Sequence, residues 1–300
     1  MRTVYLGTSD FAVHVLERLA TTPHRPVLVI TRPDRPRGRG RRLQSPPVAE
    51  RAALLGIETM QPDSVNAEEA RAAIAAAEPE AIVICAYGAL IKEPLLSDHD
   101  LLNVHPSLLP RWRGAAPVER AIEAGDEETG VTIMRPTAEL DAGPICLQRV
   151  EPIRPDDDYG SLAERLAELG GELLVETLDA EPACREQPDQ GVTYASKIEP
   201  DDRLLHPERP ADELERRVRA LRPHVGTYVE LGEGERLGVR RAGLAAGVDD
   251  VKPGELAVRD STLLYGAAQG ALELFEVQPA GRKPMPAADW LRGRGGAARR

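Results

Sequence analysis

An α/β fold, with a doubly wound, mostly parallel sheet followed by a small β-barrel, is what this 300-residue sequence predicts. Three observations predict it. Strand-like apolar runs alternate with helix-periodic segments through the first half, the rhythm of repeated β-α-β units. The run Ala81-Ile82-Val83-Ile84-Cys85-Ala86 is apolar throughout, as in a strand covered on both faces. Beyond residue 204 the pattern changes to short apolar runs separated by glycines, as in small barrels.

The elements follow in order. Thr3-Val4-Tyr5-Leu6 is a short strand ending at Gly7. Asp10 reads as the N-cap of a helix in which Phe11, Val15, Leu16 and Leu19 recur at helical spacing. A β-branched strand at 26–30 precedes a helix at 48–55 closed by Gly56, a strand at 57–60 and an alanine-rich helix at 67–77. After the apolar run come a strand at 101–105, a helix at 115–123, and strands at 131–134 and 145–147. Residues 158–178 read as a long amphipathic helix. Periodicity then fails, and Pro182, Pro188, Gly191 and Pro200 collect. The expected domains are therefore 1–186, a linker at 187–204, and 205–300. The last carries a helix at 213–221 and strands at 228–231, 237–239, 255–258, 262–265 and 272–275. The first domain is expected to be Rossmann-like and the second OB-like. Ligands of a doubly wound sheet bind beyond the carboxyl ends of its strands.

Composition narrows the function. Hydrophobic residues are 42% and charged residues 29%, ordinary for a globular chain. No apolar run is long enough to span a membrane. Cys85, Cys146 and Cys184 stand far apart, with no zinc or redox spacing, so a reduced, cytoplasmic chain is expected. The net charge of −11 opposes nonspecific nucleic-acid binding. Its distribution is uneven. Residues 1–204 hold 22 Lys+Arg against 35 Asp+Glu, and residues 205–300 hold 16 against 14. Six arginines and one aspartate lie between Arg32 and Arg42.

The first strand-to-helix turn, Gly7-Thr8-Ser9-Asp10-Phe11-Ala12, lacks the later glycines of a dinucleotide fingerprint. GxxxxGK[ST] and HExxH are absent, so neither a nucleotide cofactor nor a metal is expected. The densest polar constellation is Asn103-Val104-His105-Pro106-Ser107-Leu108-Leu109-Pro110. Strand alternation puts Asn103 and His105 on one side at a strand end. An amide donor and an imidazole aimed at one point suit acyl transfer, the first holding an oxyanion and the second moving a proton. Asp141, in a loop before a strand, is a candidate to orient the imidazole. The alternative is an ordinary strand end with His105 bonded to a backbone carbonyl.

That segment, continued by Arg111-Trp112-Arg113-Gly114-Ala115-Ala116-Pro117, resembles the folate-dependent formyltransferases, and the continuation resembles their methionyl-tRNA formyltransferase branch. The turn at 7–12, with Ser9 where proline is usual, the basic loop at 33–42, Val192-Thr193-Tyr194-Ala195-Ser196-Lys197-Ile198, and Met285–Gly293 extend the resemblance over essentially the whole chain. Leu204-Leu205-His206-Pro207 departs from it, standing where an aspartate-tryptophan pair is common.

The resemblance implies formyl transfer from 10-formyltetrahydrofolate to initiator methionyl-tRNA, with Asn103, His105 and Asp141 catalytic. It implies a folate pocket lined by Ile84, Ala86, Tyr87, Ser107, Leu108, Leu109 and Pro110. Plain core is the other reading of the 84–87 stretch. Arg35, Arg37, Arg39, Arg41 and Arg42 would reach tRNA phosphates from an arm made flexible by Gly38 and Gly40. A solvated charged segment is the other reading of that loop. The positive C-terminal domain would hold more of the tRNA, and a monomer is expected. A formyltransferase acting on a small amine, such as an amino-sugar nucleotide, is the competing function and needs no arginine loop.

Overall fold

The computed structural model describes residues 1–37, 42–232 and 234–293. The chain divides into two compact units. Residues 1–117, 128–152 and 163–196 form the first, and residues 118–127, 153–162 and those from 197 onward form the second.

The chain runs β1 (Thr3–Gly7), α1 (Asp10–Ala20), β2 (Pro26–Ile30), β3 (Arg35–Arg37), β4 (Arg42–Gln44), α2 (Pro47–Leu54), β5 (Glu58–Met60) and α3 (Glu68–Ala76). It continues through β6 (Ala81–Cys85), α4 (Leu95–Asp98), β7 (Leu101–His105), β8 (Arg113–Gly114), α5 (Pro117–Ala124), β9 (Glu128–Met134), β10 (Ile145–Pro152), α6 (Tyr159–Ala180) and β11 (Tyr194–Ala195). Seven strands make the central sheet of the first unit, in the order β10-β9-β7-β6-β1-β2-β5. From β7 to β5 every pairing is parallel, whereas β9 and β10 are antiparallel additions at one edge.

Every residue of β6 is buried, as its uninterrupted apolar run requires. Val4, Leu6, Ile30, Ile82 and Ile84 pack from three parallel strands into one cluster with Ile74 and Leu101. Each such side chain contributes about 1.5–3 kcal/mol by leaving water. The helix after β1 is capped by Ser9, whose hydroxyl accepts from the Ala12 amide at 3.5 Å, so Asp10 is the first helical residue rather than the expected cap. A Cβ on Gly170 would stand 2.9 Å from Val104 Cγ1, so this glycine lets α6 lie against β7 one residue from its end.

Two expectations are corrected in this unit. The loop of arginines is rooted in a hairpin: β3 and β4 pair antiparallel with Arg35 opposite Gln44 and Arg37 opposite Arg42. Gly38, Arg39, Gly40 and Arg41 lie outside the described residues. The cysteines are not all reduced, because Cys146 and Cys184 form a disulfide while Cys85 is free. Reciprocal backbone hydrogen bonds of 2.8 Å between the neighbouring residues Ile145 and Arg185 hold the two cysteines together, their Cα atoms 4.0 Å apart. That pairing joins residues 38 apart, which spacing in the sequence does not announce.

The second unit carries a 3-10 turn at Pro200–Arg203, α7 (Ala211–Leu221), β12 (Thr227–Glu230), β13 (Arg236–Leu244), β14 (Leu256–Arg259), β15 (Thr262–Gly266), β16 (Ala271–Pro279), β17 (Met285–Pro286) and α8 (Ala287–Gly293). Its sheet is antiparallel in the order β12-β13-β16-β15-β14, with β17 beside β16. Leu214 and Val218 of α7 join Val229, Val239, Leu263 and Leu272 in its core. Among the described residues no pairing joins β12 to β14, so the sheet is open and the expected closed barrel is not formed. Both end strands have only four residues, which leaves little edge for closure. The departure at 204–207 is accommodated. Leu205 is fully buried, its amide donates to the Tyr228 carbonyl, and its carbonyl accepts from the Tyr265 hydroxyl.

Among the described residues no helix is long and apolar enough to cross a membrane.

Candidate active site

The site residues gather where β7 ends, between a parallel neighbour, β6, and an antiparallel one, β9. Asn103 pairs with Ile84 and Met134, and His105 pairs with Thr132. Asn103 is partly exposed, and its carboxamide has no hydrogen-bond partner among the described residues. Its amide donors are uncommitted among the described residues. His105 is buried, at 4% exposure, and its Nε2 lies 2.9 Å from the Trp112 carbonyl. A carbonyl only accepts, so Nε2 is the nitrogen that donates, and Nδ1 is left as the other face of the ring. Nδ1 faces Asp141 Oδ2 at 3.7 Å, an ion-pair distance. Its hydrogen bond goes to a backbone carbonyl, as at an ordinary strand end, and its other nitrogen faces a carboxylate.

Asp141 has φ +47°, a left-handed conformation uncommon outside glycine. Its Oδ2 accepts from the Gly114 amide at 2.8 Å. Gly114 itself has φ +125°, and a Cβ there would stand 2.6 Å from the Ala195 carbonyl oxygen, so this residue must be glycine for β8 to pair with β11. Trp112, at φ +63°, is held by its amide donating to Thr193 Oγ1 at 2.9 Å. Thr193 in the resembling segment therefore fixes the carbonyl that fixes His105.

The turn after β7 is tied down by a threonine that the sequence alone did not single out. Thr132 Oγ1 donates to the Ser107 carbonyl at 2.6 Å and accepts from the Leu109 amide at 3.2 Å and Gln148 Nε2 at 2.8 Å. Ser107 donates its own hydroxyl to the Arg111 carbonyl at 2.6 Å. The one sequence signal for Thr132 is a hydroxyl inside the apolar run Val131-Thr132-Ile133-Met134. Gln148 left no signal.

The residues named for folate divide by burial. Ile84 and Tyr87 belong to the main cluster, Leu109 packs with Met134 and Ile145, and Ser107 is fully buried. Ala86 is exposed with φ +44°, and Leu108 and Pro110 are partly exposed. Burial raises the Tyr87 phenol, with the nearby Arg32 guanidinium opposing the rise. Burial pushes the Cys85 thiol up to about 12, against a hydrogen bond with Tyr5 that lowers it, so this thiol beside β7 is no nucleophile. Arg35 is exposed. Arg37 and Arg42 pair across the hairpin, and Arg39 and Arg41 lie outside the described residues.

The formyl transferase family matches residues 1–178, and the formyl transferase C-terminal domain matches residues 197–295. The chain is 45% identical over 300 residues to the methionyl-tRNA formyltransferase of Halorhodospira halophila, covering 98% of this chain and 96% of that protein. Among solved structures it resembles HypX from Aquifex aeolicus in complex with tetrahydrofolic acid, with TM-score 0.65 and 19% identity over 97% of this chain and 47% of that one. It also resembles WlaRD, a sugar 3N-formyl transferase, with TM-score 0.66 and 15% identity over 94% of this chain and 99% of that one. At those identities the structural likenesses concern the fold alone.

Proposed function

The chain belongs to the formyl transferase family, and from that premise we propose that it formylates methionyl initiator tRNA, taking the formyl group from 10-formyltetrahydrofolate. One observation carries this reading. The chain aligns nearly end to end, at 45% identity, with a relative that bears the methionyl-tRNA formyltransferase name.

The methionine amine attacks the formyl carbon, and the carbonyl electron pair moves onto oxygen. The tetrahedral oxyanion is held by the Asn103 carboxamide and protonated His105. Asp141 stabilises the imidazolium, directly or through water, which its distance of 3.7 Å from Nδ1 supports. Collapse expels the folate N10, which gains a proton as the attacking nitrogen loses one. The amine is itself the nucleophile, so no covalent enzyme intermediate is needed. The unpartnered carboxamide of Asn103 supports its role, because a donor already committed to protein could not meet the oxyanion.

Folate lies along Ala86, Leu108 and Pro110, with Ile84, Tyr87, Ser107 and Leu109 as the buried backing of that wall. Arg35, Arg37, Arg39, Arg41 and Arg42 meet phosphates of the acceptor stem. The second unit, whose open sheet serves as an OB-like platform, binds the remainder of the tRNA. The domains are read as 1–186 and 205–300 with the linker at 187–204, in a cytoplasmic monomer.

Single-turnover assays with 10-formyltetrahydrofolate should give formylated methionyl-tRNA and no formylated amino-sugar nucleotide. Product from the small amine alone would overturn the tRNA assignment.

A further inference from the structure

Gln187 lies in the segment between α6 and β11, and its carboxamide is fully used. Nε2 donates to the carbonyls of Asp141 and Gly143, each at 2.8 Å. Oε1 accepts from Arg113 Nε at 3.0 Å and from a terminal Arg113 nitrogen at 2.7 Å. Carbonyls only accept and guanidinium only donates, so the amide has one possible orientation. Glutamate would set an oxygen against two carbonyl oxygens, and asparagine is a methylene short.

These bonds close a circuit. Gln187 holds Arg113; the next residue, Gly114, donates its amide to the Asp141 carboxylate; and Gln187 holds the backbone on both sides of Ala142. Asp141 is in a left-handed conformation, which persists only where its surroundings over-determine it. The neck of its loop is closed by the Arg135 amide donating to the Pro144 carbonyl at 2.9 Å. A Cβ on Gly143 would fall 1.9 Å from the Arg135 carbonyl oxygen, so the loop passes that point only as glycine. The segment bearing Gln187 is anchored as well, by the Cys146–Cys184 disulfide and the Ile145–Arg185 backbone pair.

We infer that Gln187 is a positioning residue that acts through Asp141, stapling the aspartate loop so that the carboxylate faces His105 Nδ1. The inference rests on the reading of Asp141 given above. A carboxylate released from this staple leaves the imidazolium less stabilised in the transition state. The substrate-binding groups are untouched, so kcat should fall and KM should not.

The test is a double-mutant cycle between Gln187→Ala and Asp141→Ala in the full chain, read by kcat, by KM for both substrates and by thermal midpoint. Gln187→Ala should lower kcat by about 10- to 100-fold, the scale of small misplacements at a reacting centre, with both KM values nearly unchanged. In the Asp141→Ala background it should cost nothing further. Gln187→Glu retains acceptors for Arg113, should match Gln187→Ala in rate, and serves if the alanine variant fails to fold. Full additivity of the two losses would show Gln187 to be merely structural. Normal kcat in Gln187→Ala, with Asp141→Ala impaired, would overturn this inference alone. Normal kcat in Asp141→Ala would overturn both it and the catalytic reading.

Discussion

The tip of β7 and the β3–β4 hairpin treat polar side chains in opposite ways. At the tip they are buried and tied to fixed partners: His105 is 4% exposed, Thr132 makes three hydrogen bonds, and Ser107 is fully buried on a carbonyl. Among the described residues there, Asn103 keeps an unpartnered carboxamide. On the hairpin, Arg35 is exposed and Leu43 is 70% exposed. The partnered polar groups sit at its root, where Asp34 accepts from Ser45 and Gln61 and Arg32 donates to the Asp63 carbonyl. The difference suits the two tasks proposed above. Stabilising charge at one carbon needs donors fixed beforehand, because reorganisation at the moment of reaction wastes their effect. Meeting a polyanion needs charge and reach more than a single geometry. Damage to the tip should therefore appear in kcat, and damage to the hairpin in affinity and its salt dependence.

The largest effect should come from the tip. Asn103→Ala and His105→Ala should each lower kcat by about 10²-fold or more, the usual scale for such groups. KM for methionyl-tRNA should stay within a small factor. Steady-state kinetics at saturating folate checks this, and near-normal turnover in either variant would falsify the role assignments.

Next comes the hairpin. Replacing Arg35, Arg37 and Arg42 together by alanine should raise KM for the tRNA while leaving kcat at saturation nearly intact. Each phosphate that the arm no longer neutralises should flatten the dependence of log affinity on log salt by about 0.7–0.9. A titration series from low to moderate salt reads the slope. Loss of kcat with an unchanged slope would place the hairpin in the chemistry and erase the contrast.

The same contrast explains what could be read from the chain before its structure. Asn103 and His105 were legible because they are two residues apart on one strand, and strand alternation is local. The buried β6 was legible because every residue in it is apolar. Asp141 was legible only as a candidate in a loop, since its approach to His105 depends on how residues 36 positions apart in the sequence are folded together. Thr132, Gln148 and Gln187 were missed because their partners are backbone groups on other segments, and backbone carbonyls leave no mark in a sequence. The Cys146–Cys184 pair and the open edge of the second sheet failed for a related reason, as each depends on long-range register. The hairpin showed its charge in the sequence but not its pairing, because β3 and β4 are three residues each and carry an arginine at every end but one.

A smaller effect concerns the threonine that ties down the turn at the tip. Thr132→Val keeps shape and removes the hydroxyl that serves Ser107, Leu109 and Gln148. Groups left unsatisfied in a buried setting cost about 1–3 kcal/mol each, so the unfolding free energy read from a urea titration should fall by an amount of that order. kcat should drop only a few-fold, because Thr132 holds the turn after His105 and not the ring itself. A stable variant with normal kcat would mean that water or relaxation replaces the hub.

The smallest effect concerns the sealed strand beside the site. Cys85 pairs with Val104 one residue from His105, is fully buried, and has its thiol pushed up to about 12 from an ordinary value of 9.0 by loss of water. The native protein should therefore be inert to a thiol reagent at pH 8, and denaturation without reductant should release one reactive thiol, because Cys146 and Cys184 are bonded to each other. Three thiols would instead show that disulfide reduced. The pH dependence has a definite sign. Between 9.0 and about 12 the folded chain holds a proton that the unfolded chain has lost, so stability is full below pH 9.0 and declines as pH rises toward 12. Cys85→Ala should lessen this decline between pH 9 and 10.5 without abolishing it, since burial also raises the neighbouring Tyr5 phenol. Replacing the hairpin arginines should leave it unchanged, because the decline originates in the buried Cys85 and Tyr5. If the hairpin variants changed the alkaline slope as much as Cys85→Ala does, the division between a sealed tip and a solvated arm would fail.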